Sequence, residues 1–215
     1  MIDDIFAGYY GEGVRYDSLL TTVIKTHGFT TGPCLYEPRE EQKKCNHFEE
    51  LNSSGILLIR NPFRAIISHR NLDEGGHKGF ADDDKFLGQG WDHFVEVKIQ
   101  SWEDFYLDWL EEADPDNIHV IFFELISENL KDVLLDIVEF LDINDPSERR
   151  LDCVMKHSEG KFHRERDKSR ELNEDPFSTE QRERIKLAIS KVNSALISKG
   201  KPELPIRKYE YFHDR

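Results

Sequence analysis

Arg60 stands between the apolar run Ile56-Leu57-Leu58-Ile59 and the pair Asn61-Pro62, an order that suggests a chemistry before it suggests a fold. Four branched aliphatic residues in a row read as a strand buried on both faces, as in the centre of a parallel sheet. Asn61 is a good helix N-cap and Pro62 suits the first helical position, where its missing N–H would be unpaired in any case. A helix start offers N–H donors and the positive end of a dipole, and an arginine beside it adds a planar cation suited to phosphate. The corner is therefore a candidate anion site; equally, Arg60 could do no more than pair with an acidic neighbour. A second polar cluster, Lys25-Thr26-His27, follows the strand-like stretch 19–24, LLTTVI. Ligands in open α/β sheets bind at the carboxyl ends of the strands, so one cleft can hold both clusters.

The elements that must position these residues follow from periodicity. A polar segment rich in Pro, Glu and Lys, 30–52, reads as a surface excursion. After Pro62 a helix is expected with Phe63, Ile66 and Ile67 towards the sheet and Arg64 and Ser68 sharing another side. Residues 71–90 carry five glycines and the triplet Asp82-Asp83-Asp84, which predicts a long loop outside the core. From Asp92 a helix is expected, with Val95, Ile99, Trp102, Tyr106 and Trp109 on one stripe, ending near Asp114-Pro115. Residues 118–123, IHVIFF, read as a strand. Ser127 is a candidate cap for a helix whose Leu130, Val133, Leu134, Ile137, Val138 and Leu141 share a face. Asp145-Pro146 opens a shorter helix, and Ser178 with Gln181 forms a capping box for a last one. Strands alternating with helices predict a three-layer α/β domain with a mainly parallel sheet, formed by residues 1–215 as a single domain.

Composition narrows the partners. The chain has 215 residues, 29 Lys+Arg against 43 Asp+Glu and a net charge of −14, which argues against a general nucleic-acid or acidic-membrane surface. An anion site must then be local. Cys34, Cys45 and Cys153 are an odd number, so at most one disulfide forms within the chain and at least one thiol stays free. No apolar run reaches membrane-spanning length and the start is not that of a signal peptide, so a soluble chain without membrane contact of its own is expected. His69, His77, His93, His157 and His163 make no metal-binding spacing with a cysteine pair, no H-E-x-x-H occurs, and the acidic triplet lacks calcium-loop spacing. No metal is expected.

VIKTHG (23–28), RNPFRAIIS (60–68) and FFELISENLKDVLLDIVEFLDI (122–143) resemble three successive landmarks of the sulfotransferases that use 3'-phosphoadenylyl sulfate. More narrowly, GHKGFA (76–81), the segment from Trp91 to Trp102 and EGKFHR (159–164) resemble the sulfotransferase-like domain of the WSC-domain-containing family. The resemblance covers roughly residues 5–205 and implies a P-loop-NTPase-like sulfotransferase fold. It implies that Arg60 and Ser68 bind the cofactor's 3'-phosphate. It also implies that His27 is the general base on an acceptor hydroxyl, a task suited to imidazole, and that Lys25 stabilises charge on the sulfuryl group. Phe162, His163 and Arg164 match a late cofactor-contacting loop loosely; Arg164 is the candidate there, and a solvated basic loop is the alternative. The implied cosubstrate is 3'-phosphoadenylyl sulfate (PAPS), the implied acceptor a hydroxyl of a glycan-like molecule, and the implied address the lumenal side of the Golgi membrane.

The sequence also departs from that pattern. Family members begin with a strand and a Gly- and Ser/Thr-containing loop that grips the 5'-phosphosulfate, whereas no G-x-x-x-x-G-K-[ST] occurs here. The expectation is an N-terminally truncated domain lacking its first strand-loop-helix unit, as a truncated gene model or isoform of a complete membrane-anchored Golgi enzyme, the alternative being a real shortened protein without turnover. Orientation by such a loop can contribute about 7–11 kcal/mol, so turnover by this chain is left open. Two other readings remain: a noncatalytic nucleotide-binding or protein-interaction module derived from a sulfotransferase, and a P-loop kinase relative.

Overall fold

Among the described residues two short strands pair in a sheet, and their parallel pairing demands a long crossover. β1 (Gly55–Ile59) and β2 (Ile118–Phe122) run parallel with Gly55 opposite Ile118 and Ile59 opposite Phe122. The crossover is made by α2 (Pro62–Gly75) and α3 (Gly88–Glu112). Before it comes the short α1 (Arg39–Lys44); after β2 follow α4 (Phe123–Ile126), α5 (Leu130–Phe140), α6 (Glu148–Lys156) and α7 (Thr179–Ser198). The computed structural model describes residues 23, 25–28, 33–46, 48, 51, 53–126, 128–144, 147–158 and 175–213. The expected strand over 19–24 apart from Val23, the residues Ser127, Asp145 and Pro146, and the loop with Phe162, His163 and Arg164 lie outside these.

One face of the sheet carries Leu57, Ile59, Ile118, Val120 and Phe122, all buried in a single apolar cluster with α2, α3 and α7. The stripe expected on α3 is buried throughout, at Val95, Ile99, Trp102, Tyr106 and Trp109, and so is Ile185-Ala188-Ile189-Val192-Leu196 on α7. Trp109 packs under the start of β1, where a Cβ on Gly55 would meet the indole at an ordinary contact distance of 3.4 Å. On the opposite face His119 of β2 stacks on Phe140 of α5, with ring centroids 5.3 Å apart. The layers are helix, sheet and helix, the α/β arrangement expected from the alternation of elements.

Four expectations are corrected. β1 is not buried on both faces: Leu58 is 46% exposed, because α5 covers the β2 side of that face. Residues 71–90 are not a long loop. α2 runs on to Gly75, a 3-10 turn spans Asp83–Phe86, and α3 begins at Gly88 rather than Asp92. Ala81 and Phe86 are core residues. The chain turns tightly because Gly79 donates its N–H to the Gly75 carbonyl at 2.9 Å, with no room for a Cβ at Gly79, while Asn71 Oδ1 accepts from the Ala81 N–H at 2.9 Å. The apolar stripe of α5 is only half-buried, and its N-cap residue is Asn129, with no side-chain cap bond. The polar excursion contains α1 and a buried Asn46, so it is more than surface.

Candidate functional site

The corner after β1 is built as the residues suggest, with Asn61 as the cap of a helix that starts at Pro62. Asn61 is 1% exposed and its Oδ1 accepts from the Phe63 N–H at 3.1 Å, a side-chain N-cap. Its own N–H donates to Glu124 Oε1 at 2.8 Å and its Nδ2 to the Glu210 carbonyl at 3.1 Å. The Ala65 N–H returns to the Asn61 carbonyl at 2.9 Å. These donors are engaged internally, so an anion held here is held chiefly by side chains.

Arg60 is half-buried with its guanidinium 4.3 Å from the ring centre of Phe123, a cation–π contact that orients the planar fork. Ser68 is half-buried two turns along α2. Arg64, on the same helix, is bound by Glu210 and lies 5.4 Å from the Tyr211 ring centre. Arg60 thus stands at the strand end and Ser68 on the helix that follows it.

Glu124, immediately after the strand-like IHVIFF, was not singled out by the sequence, because its partner Asn61 is brought to it only by the pairing of the strands. Its carboxylate joins the ends of the two strands through Asn61, and its Oε2 is buried with no hydrogen-bond partner among the described residues. Burial, with the Glu124 charge adding to it, pushes the phenols of Tyr106 and Tyr209 far above their ordinary value. Tyr106 Oη donates to the Leu58 carbonyl at 2.8 Å and Trp102 Nε1 to the Arg60 carbonyl at 3.2 Å. Two aromatic side chains of α3 thus fix the end of β1 and the backbone of Arg60.

Lys25 and His27 are exposed. The Gly28 N–H donates to Thr26 Oγ1 at 3.0 Å, and Gly28 adopts φ +52°, a left-handed turn that glycine accepts freely. Between α2 and α3 lies a groove of about 120 Å³ whose polar members are His69, Lys98 and Ser101 over Trp102 and Phe105. Lys98 Nζ lies 3.2 Å from His69 Nε2. Burial lowers the proton affinity of His69, Lys98 lowers it further, Asp73 opposes both, and His27 adds a smaller push downwards. Burial likewise lowers Lys98, with Asp73 opposing. Arg164 lies outside the described residues. Among the described residues no group of three His, Cys, Asp or Glu could hold a metal ion, and no helix is long and apolar enough to cross a membrane.

Two parallel strands covered by helices, with Arg60 at the end of one and Ser68 on the helix that follows it, make up an α/β domain. The sequence model of the sulfotransferase domain family matches residues 43–205, and the chain belongs to that family. It is 32% identical over 195 residues to a WSCD family member of Aedes aegypti, covering 88% of this chain and 54% of that relative. WSCD family members of Drosophila melanogaster and Drosophila pseudoobscura pseudoobscura are 33% and 34% identical over 136 residues, 62% of this chain in each case and 41% and 42% of theirs. The chain spans about half the length of the curated relatives it matches. No solved structure matches it. The family expected from the three landmark motifs is the family found.

Proposed function

We propose that this chain is the catalytic unit, a single domain, of a sulfotransferase that moves a sulfuryl group from PAPS to a hydroxyl of a glycan-like acceptor. Arg60 binds the 3'-phosphate through its planar fork and Ser68 donates its hydroxyl to the same group. His27 takes the proton as the acceptor oxygen forms its bond to sulfur and the bond from sulfur to the phosphate oxygen breaks, releasing adenosine 3',5'-bisphosphate. Lys25 faces the charge that gathers on the sulfuryl oxygens. Arg164 is assigned to the nucleotide as well. The Cys34–Cys45 disulfide supports an oxidising compartment, and a lumenal Golgi address belongs to the same proposal.

The observation that carries this reading is Arg60 at the strand end with Ser68 two turns down the next helix, in a member of the sulfotransferase family. Calorimetric titration with adenosine 3',5'-bisphosphate tests it, with adenosine 5'-phosphate as the control lacking the 3'-phosphate. Saturable binding that falls about 10- to 100-fold in Arg60→Ala, and equally when the 3'-phosphate is absent, is expected for a lost charge-assisted pair. Equal binding of both nucleotides, or no effect of Arg60→Ala, overturns the assignment.

A second reading, a noncatalytic nucleotide-binding module, is favoured by the internal engagement of the α2 donors at Asn61 and Phe63. Nucleotide binding without sulfation of any hydroxyl acceptor would select it.

A further inference from the structure

The segment that carries Lys25 and His27 rests on a buried polar junction that begins at the disulfide. Cys34 and Cys45 close a loop around α1. From that loop Arg39 donates two hydrogen bonds to Asp108 of α3, Nη1 to Oδ2 at 2.7 Å and Nη2 to Oδ1. Lys43 reaches Glu111 at 3.1 Å and Glu112 at 3.3 Å. Asp108 is 1% exposed, so the loop is fastened to the core and not laid on it.

Asn46 follows Cys45 directly and is also 1% exposed. Its Nδ2 lies 3.4 Å from Asp108 Oδ2, while its Oδ1 is buried with no hydrogen-bond partner among the described residues. An unmet buried carbonyl is costly and calls for an explanation. The oxygen is aimed at Gly28: a Cβ on that residue would overlap Asn46 Oδ1 and come within 2.9 Å of Phe105 Cε2. The close approach and the φ of +52° favour glycine at this seat, and the preceding Lys25, Thr26 and His27 are exposed.

We propose that Asn46, fixed by the Cys34–Cys45 loop and by Asp108, is a positioning residue that seats Gly28 and thereby aims His27 and Lys25 at the reacting group. This rests on the sulfotransferase reading of His27. The thiol state of Cys34 and Cys45 then sets the geometry of the site. A dithiol such as dithiothreitol transfers two electrons and two protons to the disulfide, leaves as its own cyclic disulfide, and removes the covalent tie across α1 that helps hold Asn46.

The test uses the whole chain labelled with carbon-13 in its histidine rings. The His27 imidazole cross-peak is assigned with His27→Gln, and the indole N–H peaks of Trp91 and Trp102 report on the core. In Asn46→Ala, in Gly28→Ala and in the dithiol-reduced protein, the His27 peak is expected to move by more than its linewidth while the two indole peaks stay in place. An unmoved His27 peak in Gly28→Ala and in the reduced chain, with free thiols confirmed by mass, overturns the proposal. Should Asn46→Ala lose its indole peaks, Gly28→Ala decides, because it leaves the disulfide and Asn46 intact.

A sulfation assay separates the two readings. Asn46→Ala is expected to lower kcat about 10- to 100-fold, the cost of a misplaced group, with the affinity for adenosine 3',5'-bisphosphate unchanged within a factor of about two. Normal turnover by His27→Ala would remove the base assignment and leave the seating of the segment to be judged by the His27 peak.

Discussion

His69 and Lys98 show how burial and a neighbouring charge set a proton affinity that composition alone cannot. Both are pushed down by desolvation, and each adjoins the other at 3.2 Å. Because the folded His69 holds its proton less tightly than the unfolded chain does, protonation opposes folding. Its stabilising contribution is present above the ordinary histidine value and is lost as pH falls through the lowered one. In a nuclear magnetic resonance titration His69 should remain neutral at pH 7 and titrate below the ordinary histidine value; Lys98→Met should raise its midpoint. A downward move would show that Lys98 is not what depresses it. Asn61 offers a check at the same scale: Asn61→Ala should cost about 1–2 kcal/mol in urea unfolding, since it removes a helix cap and an amide bond to Glu210. The cap was legible from Asn61-Pro62 alone. Glu124 was not, because its partner lies 63 residues away and only strand pairing brings them together.

Between elements, the strongest polar tie joins α3 to α7. Glu103, 4% exposed, accepts from Arg184 Nη1 and from Lys191 Nζ, both at 2.6 Å. Burial pushes its carboxyl up, but the two cations outweigh it and hold the carboxyl below its usual range. A depressed acid stabilises the fold above its unfolded value and loses that contribution as pH falls through the folded one. Stability measured by urea should therefore drop on acidification below about pH 4.5, the ordinary glutamate range. In Glu103→Gln the drop should flatten, with about 2 kcal/mol already missing at pH 7. An unchanged acid profile in that variant would assign acid sensitivity to other groups. The α3 and α7 stripes were readable because 3.6-residue periodicity survives in both. The half-buried stripe of α5 shows that periodicity reports a face and not how fully a neighbour covers it.

For the molecule as a whole, the short 3-10 turn before α3 belongs to the core. Phe86 packs edge-on against Trp91, whose Nε1 donates to the Pro176 carbonyl at 2.7 Å and whose ring also meets Phe94 and Phe177. Trp91→Ala should cost about 3–5 kcal/mol in chemical unfolding, the range for a buried large aromatic. A loss below about 1 kcal/mol would mean that the aromatic cluster relaxes to fill the space. The glycines of 71–90 suggested a loop because composition marks flexibility, yet tight turns around Gly75 and Gly79 serve to bring Phe86 inward.

What the sequence determined by itself is local: the cap at Asn61, the stripes of α3 and α7, the capping box at Ser178, and the family through three motifs in order. These depend on neighbours within a few residues or on a pattern that a chain carries wherever it folds. What only the tertiary structure decided is every pairing across distance. Arg60 rests on Phe123, Glu124 takes the Asn61 N–H, and Asn46, in sequence just after the disulfide-closed loop, lies against Gly28. Spacing along the chain carries no record of which strand ends meet. The register of β1 on β2, set by burial of one common face, supplies it.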